Sequence, residues 1–351
     1  MKEYLFLLVS SAILLQQCDT TETIVPEPVK DPREYNWTID SLFYPGALQI
    51  LMGSIWGSSS DNIYVAGDCD DAKSQIWHYN GNQWNAVHIY MGVAYSPASI
   101  YGFSAKDIWI AGGFYGTTST LDSSLIMHYD GSSWKKINAY GGRLIENIWG
   151  NSSDNVWFVG LNGTIFHWNG TSLQPDSLPF HISKDVDPFY NMSVSGNSSG
   201  DTYFLVNAPS GKVYLFKRMQ DIWSVVDSNL WGWQRMNVRI GSTGNIYESG
   251  AAGYYKWTGS NWENLLDQFD GYTFGIEALS EENIFITGWI YSTPGNIKSL
   301  LYHYNGQDFF LYEDLMLDDV SLFDAWSNGN EVFVVGYTHS FPQISVVLHG
   351  K

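Results

Sequence analysis

Apolar positions along the chain alternate within short runs such as Ile63-Tyr64-Val65-Ala66, and clusters of Ser, Asp, Asn and Gly separate one run from the next. β-Branched and aromatic residues fill the runs, which predicts strands, because such side chains pack well on a pleated, half-buried surface. The runs also repeat. SIWGSSSDNIYVAGD from Ser54, SIYGFSAKDIWIAGG from Ser99 and NIWGNSSDNVWFVGL from Asn147 can be laid over one another. SVSGNSSGDTYFLVN from Ser193 follows more loosely, and shorter copies start at Val238, Leu279 and Ser327. A glycine ends the second run of six copies, at Gly67, Gly112, Gly160, Gly250, Gly288 and Gly336, with Val206 in its place in the fourth; the interval averages about 45 residues.

The second half of the unit recurs as QIWHYNGNQW from Gln75, LIMHYDGSSW from Leu125, TIFHWNGTSL from Thr164, YYKWTGSNW from Tyr254 and LLYHYNGQDF from Leu300. Each unit therefore holds four strands, two joined by a Ser/Asp/Asn turn and two by a turn whose glycine supplies a positive φ. Four strands in each of seven units predict an all-β fold, a seven-bladed β-propeller of four-stranded antiparallel blades. The chain stops at VVLHGK, before the outermost strand of the last unit, while YNWTIDSLF from Tyr35 carries an unassigned Trp37. The N-terminal strand is thus expected to join the last blade and close the ring, which removes the exposed sheet edges of an open array.

Ahead of the repeats, residues 1–17 read MKEYLFLLVSSAILLQQ. Their apolar run is shorter than the ~18–20 residues that span a bilayer and has the length of a signal-peptide core. Leu15-Gln16-Gln17-Cys18 resembles a bacterial lipoprotein signal, and the resemblance implies cleavage before Cys18 and a lipid on its sulfur. Residues 18–34, with Pro26, Pro28 and Pro32, read as an extended tether. The propeller is assigned to 35–351. A length of 351 residues alone suggests two domains, but one closed ring accounts for the whole of that span.

Composition narrows the partners. With 36 acidic and 17 basic residues the chain carries −19, so phosphate backbones and anionic lipid surfaces repel it. Nucleic acid is excluded as a partner, and membrane association is left to the lipid anchor. Two cysteines, Cys18 and Cys69, do not make a disulfide framework. No HExxH, CxxC, GxSxG or Walker pattern occurs, and no cofactor is expected.

The W-G-S-S-S-D-N-I-Y-V-A-G element followed by H-Y-N-G-x-x-W is similar to repeats of large bacterial surface and secreted proteins, often lipoproteins. The resemblance implies a propeller in the cell envelope, outer-membrane, periplasmic or secreted, and assigns no activity.

His78, His128, His167 and His303 share one repeat position and are expected to hydrogen-bond to a neighbouring sheet rather than to converge on an ion. Asp68, Asp70 and Asp71 in the loop DCDDAK offer oxygen ligands of the kind calcium prefers, but without the glycine and distal Glu of an EF-hand loop. Strand order places the second-to-third-strand loops and the blade crossings on one face, where loop length varies most. That face carries Tyr95, Phe114, Tyr115, Trp231, Trp233, Trp289, Tyr291, Tyr337 and Phe341, with Arg235 and His339 as polar anchors. Rings with polar tips suit protein contacts and the flat faces of sugars. The favoured reading is a non-catalytic envelope platform for a protein or glycan, through Tyr115, Trp231, Trp233, Arg235, Trp289, Tyr291 and His339. The alternatives are a glycan-active lyase or hydrolase with carboxylates converging in the central funnel, and a structural subunit of an envelope complex.

Overall fold

The computed structural model describes residues 30–351 apart from 91, 116–120, 180–191, 208–211, 232–236, 242–243, 251–252, 267–270 and 294. Cys18 and the leader lie outside the described residues, as do Trp233 and Arg235. The described strands form seven four-stranded antiparallel sheets. The inner strands, in chain order, are Ile50–Ser59, Tyr95–Ser104, Ile145–Ser152, Met192–Gly196, Asn237–Ile240, Gly271–Ser280 and Val320–Ser327. Each packs beside the inner strand of the next blade, and the seventh packs beside the first.

Closure follows the pattern read from the sequence. Blade 7 consists of Val320–Ser327, Val332–Thr338, Ser345–Gly350 and, outermost, the N-terminal strand Trp37–Leu42, which pairs Trp37 with Gly350 and Leu42 with Ser345. Leu42 is buried among Ile50, Met52, Val335 and Val347, so one side chain joins blades 1 and 7. The chain is already docked before this strand. Pro32–Glu34 forms a 3-10 turn capped by Asp31, Tyr312 Oη donates to the Pro32 carbonyl at 2.9 Å, and Tyr35 Oη donates to the Gly329 carbonyl at 3.1 Å.

The Trp-Gly dipeptide of the repeat joins adjacent blades. A Cβ on Gly102 would lie 2.8 Å from the Trp56 ring of the preceding blade, one on Gly196 2.4 Å from Trp149, and one on Gly57 3.1 Å from Trp326. Each indole thus lies over the bare backbone of the following blade, and the Trp326–Gly57 contact closes the circle.

The glycine that ends the second strand has a different cause. A Cβ at Gly67, Gly112, Gly160, Gly288 or Gly336 would sit 1.9–2.1 Å from a carbonyl oxygen of the paired inner strand. In each of those blades the inner strand carries a register shift immediately after the residue paired with the glycine, as between Ile145 and Asn147 opposite Gly160. A β-bulge inserts one unpaired residue and bends its strand locally. In blade 4, Met192–Gly196 pairs with Thr202–Asn207 without a shift, and there Val206 replaces the glycine and is fully buried. Glycine and bulge occur together in five blades, and blade 4 has neither.

The histidines are held within their own blades, which corrects the expected bond to a neighbouring sheet. His78 Nε2 lies 2.7 Å from Asn62 Oδ1, His128 Nε2 2.7 Å from Asp107 Oδ1, and His167 Nε2 2.7 Å from Asn155 Oδ1. Each imidazole also stacks on an aromatic residue of its own second strand: Tyr64, Trp109 and Trp157. His349, at the corresponding place in blade 7, stacks on Phe333 and meets Glu331 at 2.6 Å. Burial lowers the pKa of His78, His167 and His303, the last to about 4. Those three rings are neutral packing elements at pH 7.

Candidate functional site: the central channel and its loop face

The bulges decide which side chains reach the axis. In blade 1 the bulged residue is Gly53, in blade 2 Ala98, in blade 3 Glu146, in blade 6 Phe274 beside Gly275, and in blade 7 Phe323. Together with their neighbours they line a chamber of about 360 Å³ to which all seven inner strands contribute. Because inner strands start at the loop face, the chamber occupies the loop-face half of the channel.

The tier below holds Ser54, Ser99, Asn147, Ser193, Asn237, Gly275 and Asp324. Four of these side chains accept a hydrogen bond from the inner strand of the next blade: Ser54 from Ile100 N, Asn147 from Val194 N, Ser193 from Val238 N and Asp324 from Ile55 N, at 2.9–3.3 Å. Asn237 instead donates to the Phe274 carbonyl at 2.8 Å. This tier latches the blades together. Asp324 is its one carboxylate, and it also accepts from Ala325 N at 2.9 Å.

Two residues further along their strands, Trp56, Tyr101, Arg239, Glu277 and Trp326 also border the chamber. Arg239 and Glu277, from adjacent blades, form a close ion pair. Burial opposes the guanidinium charge, but Glu277, Tyr101 and Asp324 together outweigh it and the Arg239 pKa is raised. Tyr101 and Arg239 also border a second cavity of about 330 Å³ on the tight-turn side, so this tier divides the channel in two.

Burial pushes the Asp324 carboxyl up to about 7 against the opposing hydrogen bond from Ile55 N. Burial likewise pushes Glu146 up to about 7, although the Met192 amide hydrogen-bonds to its carboxylate. Glu146 Oε2 is buried and has no hydrogen-bond partner among the described residues. Among the described residues three carboxylates therefore line the channel, and they differ in their bonding: Glu277 is paired, Asp324 is latched, and Glu146 has one oxygen without a hydrogen-bond partner.

Several of the aromatic residues expected on the loop face form one continuous series with the chamber wall. Tyr291 meets Trp289 edge to face at 4.8 Å between centroids, and Trp289 meets Tyr272 at 4.8 Å. Tyr272 stacks on Phe274 at 6.3 Å, Phe274 meets Phe323 at 5.0 Å, Phe323 stacks on Tyr337 at 4.5 Å, and His339 follows at 5.9 Å. His339 Nε2 is held by Ser321 Oγ at 2.8 Å. Blades 6 and 7 thus present a ladder of rings from the loop face down to the two phenylalanines of the chamber.

Other expected positions fare differently. Tyr95 and Phe114 are buried packing residues. Tyr115 and Trp231 end their strands, and their side chains lie outside the description, as do Trp233 and Arg235 entirely. Asp70 accepts from the amides of Leu48 and Gln49, Asp71 from Lys73 N, and Asp68 from Cys69 N, so this loop turns carboxylate oxygens toward its own backbone. Among the described residues no group of three His, Cys, Asp or Glu side chains is arranged to hold a metal ion, and no helix is long and apolar enough to cross a membrane.

The fold has clear structural neighbours. YCF48 bound to a D1 peptide superimposes with a TM-score of 0.60 at 14% identity, covering 92% of this chain and 98% of its own. Virginiamycin B lyase from Staphylococcus aureus gives 0.64 at 10% identity over 89% and 99%. YCF48 from Cyanidioschyzon merolae gives 0.59 at 11% over 89% and 98%. At these identities the likeness establishes the propeller fold alone. No protein-family model matches the sequence, and comparison with curated proteins finds no match.

Proposed function

We propose that the protein is an exported, lipid-anchored propeller that binds a polypeptide or glycan, without catalysis, on the loop face of blades 6 and 7. The observation that carries this reading is the ring series from Tyr291 to His339, which leads from solvent into a chamber with polar groups at its base. Aromatic rings supply large contact area at low conformational cost, and a few convergent polar groups orient what they hold. That YCF48 is described bound to a peptide is compatible with such a use of the fold.

The three channel carboxylates favour a second reading, a glycan-active enzyme, and one fold neighbour is a lyase. Glycoside hydrolysis by the usual route needs two carboxyl groups that both reach substrate. Here Asp324 is tied to two backbone amides and Glu277 to Arg239, which leaves Glu146 without a second group to share the proton transfers. Binding is accordingly the better reading.

Screening the full chain on peptide and glycan arrays tests it. Hits should weaken at least tenfold in a Trp289→Ser/Tyr337→Ser variant; hits indifferent to both substitutions would remove the loop face as the binding surface. For the anchor, Cys18→Ala is expected to move the protein from the membrane to the soluble fraction of the expressing cells, and a variant that stays with membranes would show that another feature holds it there.

A further inference from the structure

We propose that the channel chamber binds a cationic group, a guanidinium or primary ammonium at the end of an extended ligand, with Glu146 as its principal counter-ion. The inference rests on the binding reading above and names the ligand chemistry of that site.

The argument is one of missing charge. From blade 3, Glu146 shares the chamber with Asp324 of blade 7, the Arg239–Glu277 pair of blades 5 and 6, and Tyr101 of blade 2. The inner strands of blades 1 and 4 bring no titratable side chain to it among the described residues. Arg239 is neutralised by Glu277, and no other Lys or Arg among the described residues lines the chamber to balance Glu146 and Asp324. A buried carboxylate without a partner is costly, and such a group takes up a proton unless a cation is supplied. The raised pKa of both carboxyls is consistent with that state. Glu146 stands on the chamber wall at a bulge that the four other bulged blades fill with Gly, Ala or Phe, and its Oε2 is buried and without a hydrogen-bond partner. Phe274 and Phe323 add ring faces within the same cavity, which attract a cation and repel an anion. About 360 Å³ lies within the size range of small-ligand pockets and accommodates a single side-chain-sized group.

A cation binds the ionised form of Glu146, so binding releases a proton wherever the empty site holds one. With a carboxyl at about 7, affinity is full above neutrality and falls as pH drops, by roughly thirty-fold between pH 8 and 5.5 for one linked proton.

Calorimetric titration of the full chain with n-butylguanidinium, and with n-butylurea as its neutral counterpart, tests the proposal. The expected result is guanidinium binding at least tenfold tighter than urea binding, with the stated fall in acid. Buffers of different ionisation enthalpy should report about half a proton released at pH 7. Glu146→Gln should lose at least tenfold in affinity together with the proton release, while melting no lower than the parent. The proton count on the parent protein stands even if that variant folds poorly. Equal binding of the two probes, binding indifferent to pH, full retention in Glu146→Gln, or no binding at all would overturn the proposal, as would displacement of the guanidinium by calcium chloride at equal concentration. Array hits that depend on Trp289 and Tyr337 alongside a silent titration would sink this inference and leave the binding reading standing. Guanidinium binding without such hits would do the reverse.

Discussion

Removal of residues 35–43 is expected to abolish the folded monomer. These residues contribute the whole outer strand of blade 7, six paired positions against Ser345–Gly350. With it go Tyr35 and Leu42, buried to 7% and 1% exposure, each contributing about 1.5–3 kcal/mol by burial. Trp37, edge to face with Tyr312 at 5.0 Å and packed over Gly350, is lost as well. The sum approaches the 5–15 kcal/mol by which a typical domain is stable at all. The deletion also uncovers a strand reading SVVLHG, rich in β-branched residues, at an unprotected edge, which is a template for association. Size-exclusion chromatography and thermal melting should show aggregates or a loss of cooperative unfolding. Leu42→Ala isolates the packing part and should cost about 2–5 kcal/mol. A deletion variant that elutes as a monomer and melts with the parent would mean that the ring does not depend on this strand for closure.

That strand was legible in the sequence because the repeat is counted in side chains: a missing tryptophan at the end and a surplus one at Trp37 can be matched without a structure. The channel was not. Glu146 directly precedes the third copy of the repeat, where the first two copies have Gly53 and Ala98, and alignment by similarity treats such a difference as noise. Asp324 stands among Ser and Asn at equivalent positions, and Arg239 has the register of Trp56, opposite Tyr247 as Trp56 is opposite Tyr64, although the inner-strand glycine follows it two residues later, at Gly241, rather than one. In a propeller, identity between blades reports the packing that all blades share, while the axis is the one place where seven equivalent positions meet and can differ usefully. The signal that could have revealed the site was departure from the repeat at inner-strand positions. Aromatic count pointed instead to the loop face, and there Trp289, Tyr291 and His339 do join one series. Arg235 lies outside the described residues; among those described, the basic residue lining the channel is Arg239, on the inner strand of blade 5.

The repeat glycine and the Glu146 bulge are two halves of one device, and their coupling is measurable. Gly160→Ala adds one methyl group, and its Cβ would sit 1.9 Å from the Leu144 carbonyl oxygen and 2.6 Å from Ile145 Cα. Both obstacles are backbone, so no rotamer change relieves them. The cost is expected to reach or exceed the ~3 kcal/mol at the top of the usual overpacking range. Backbone conformation is not the cause, since Gly160 has φ −170°, which any residue adopts. Crowding comes from the inner strand, bent toward the glycine by the extra residue Glu146 between the paired Ile145 and Asn147. Deleting Glu146 should make blade 3 resemble blade 4, where the pairing is continuous and Val206 is accommodated. In that background Gly160→Ala should cost less by at least about 1 kcal/mol, an interaction energy of the size seen for residues in contact. Denaturant melts of the parent, the two single variants and the double variant complete the cycle. Independent, additive costs would separate the glycine from the bulge. A clear coupling would show that the position which lets Glu146 into the channel is maintained by a glycine on the next strand, so that the carboxylate and the Gly160 that accommodates its bulge belong to the same structural unit.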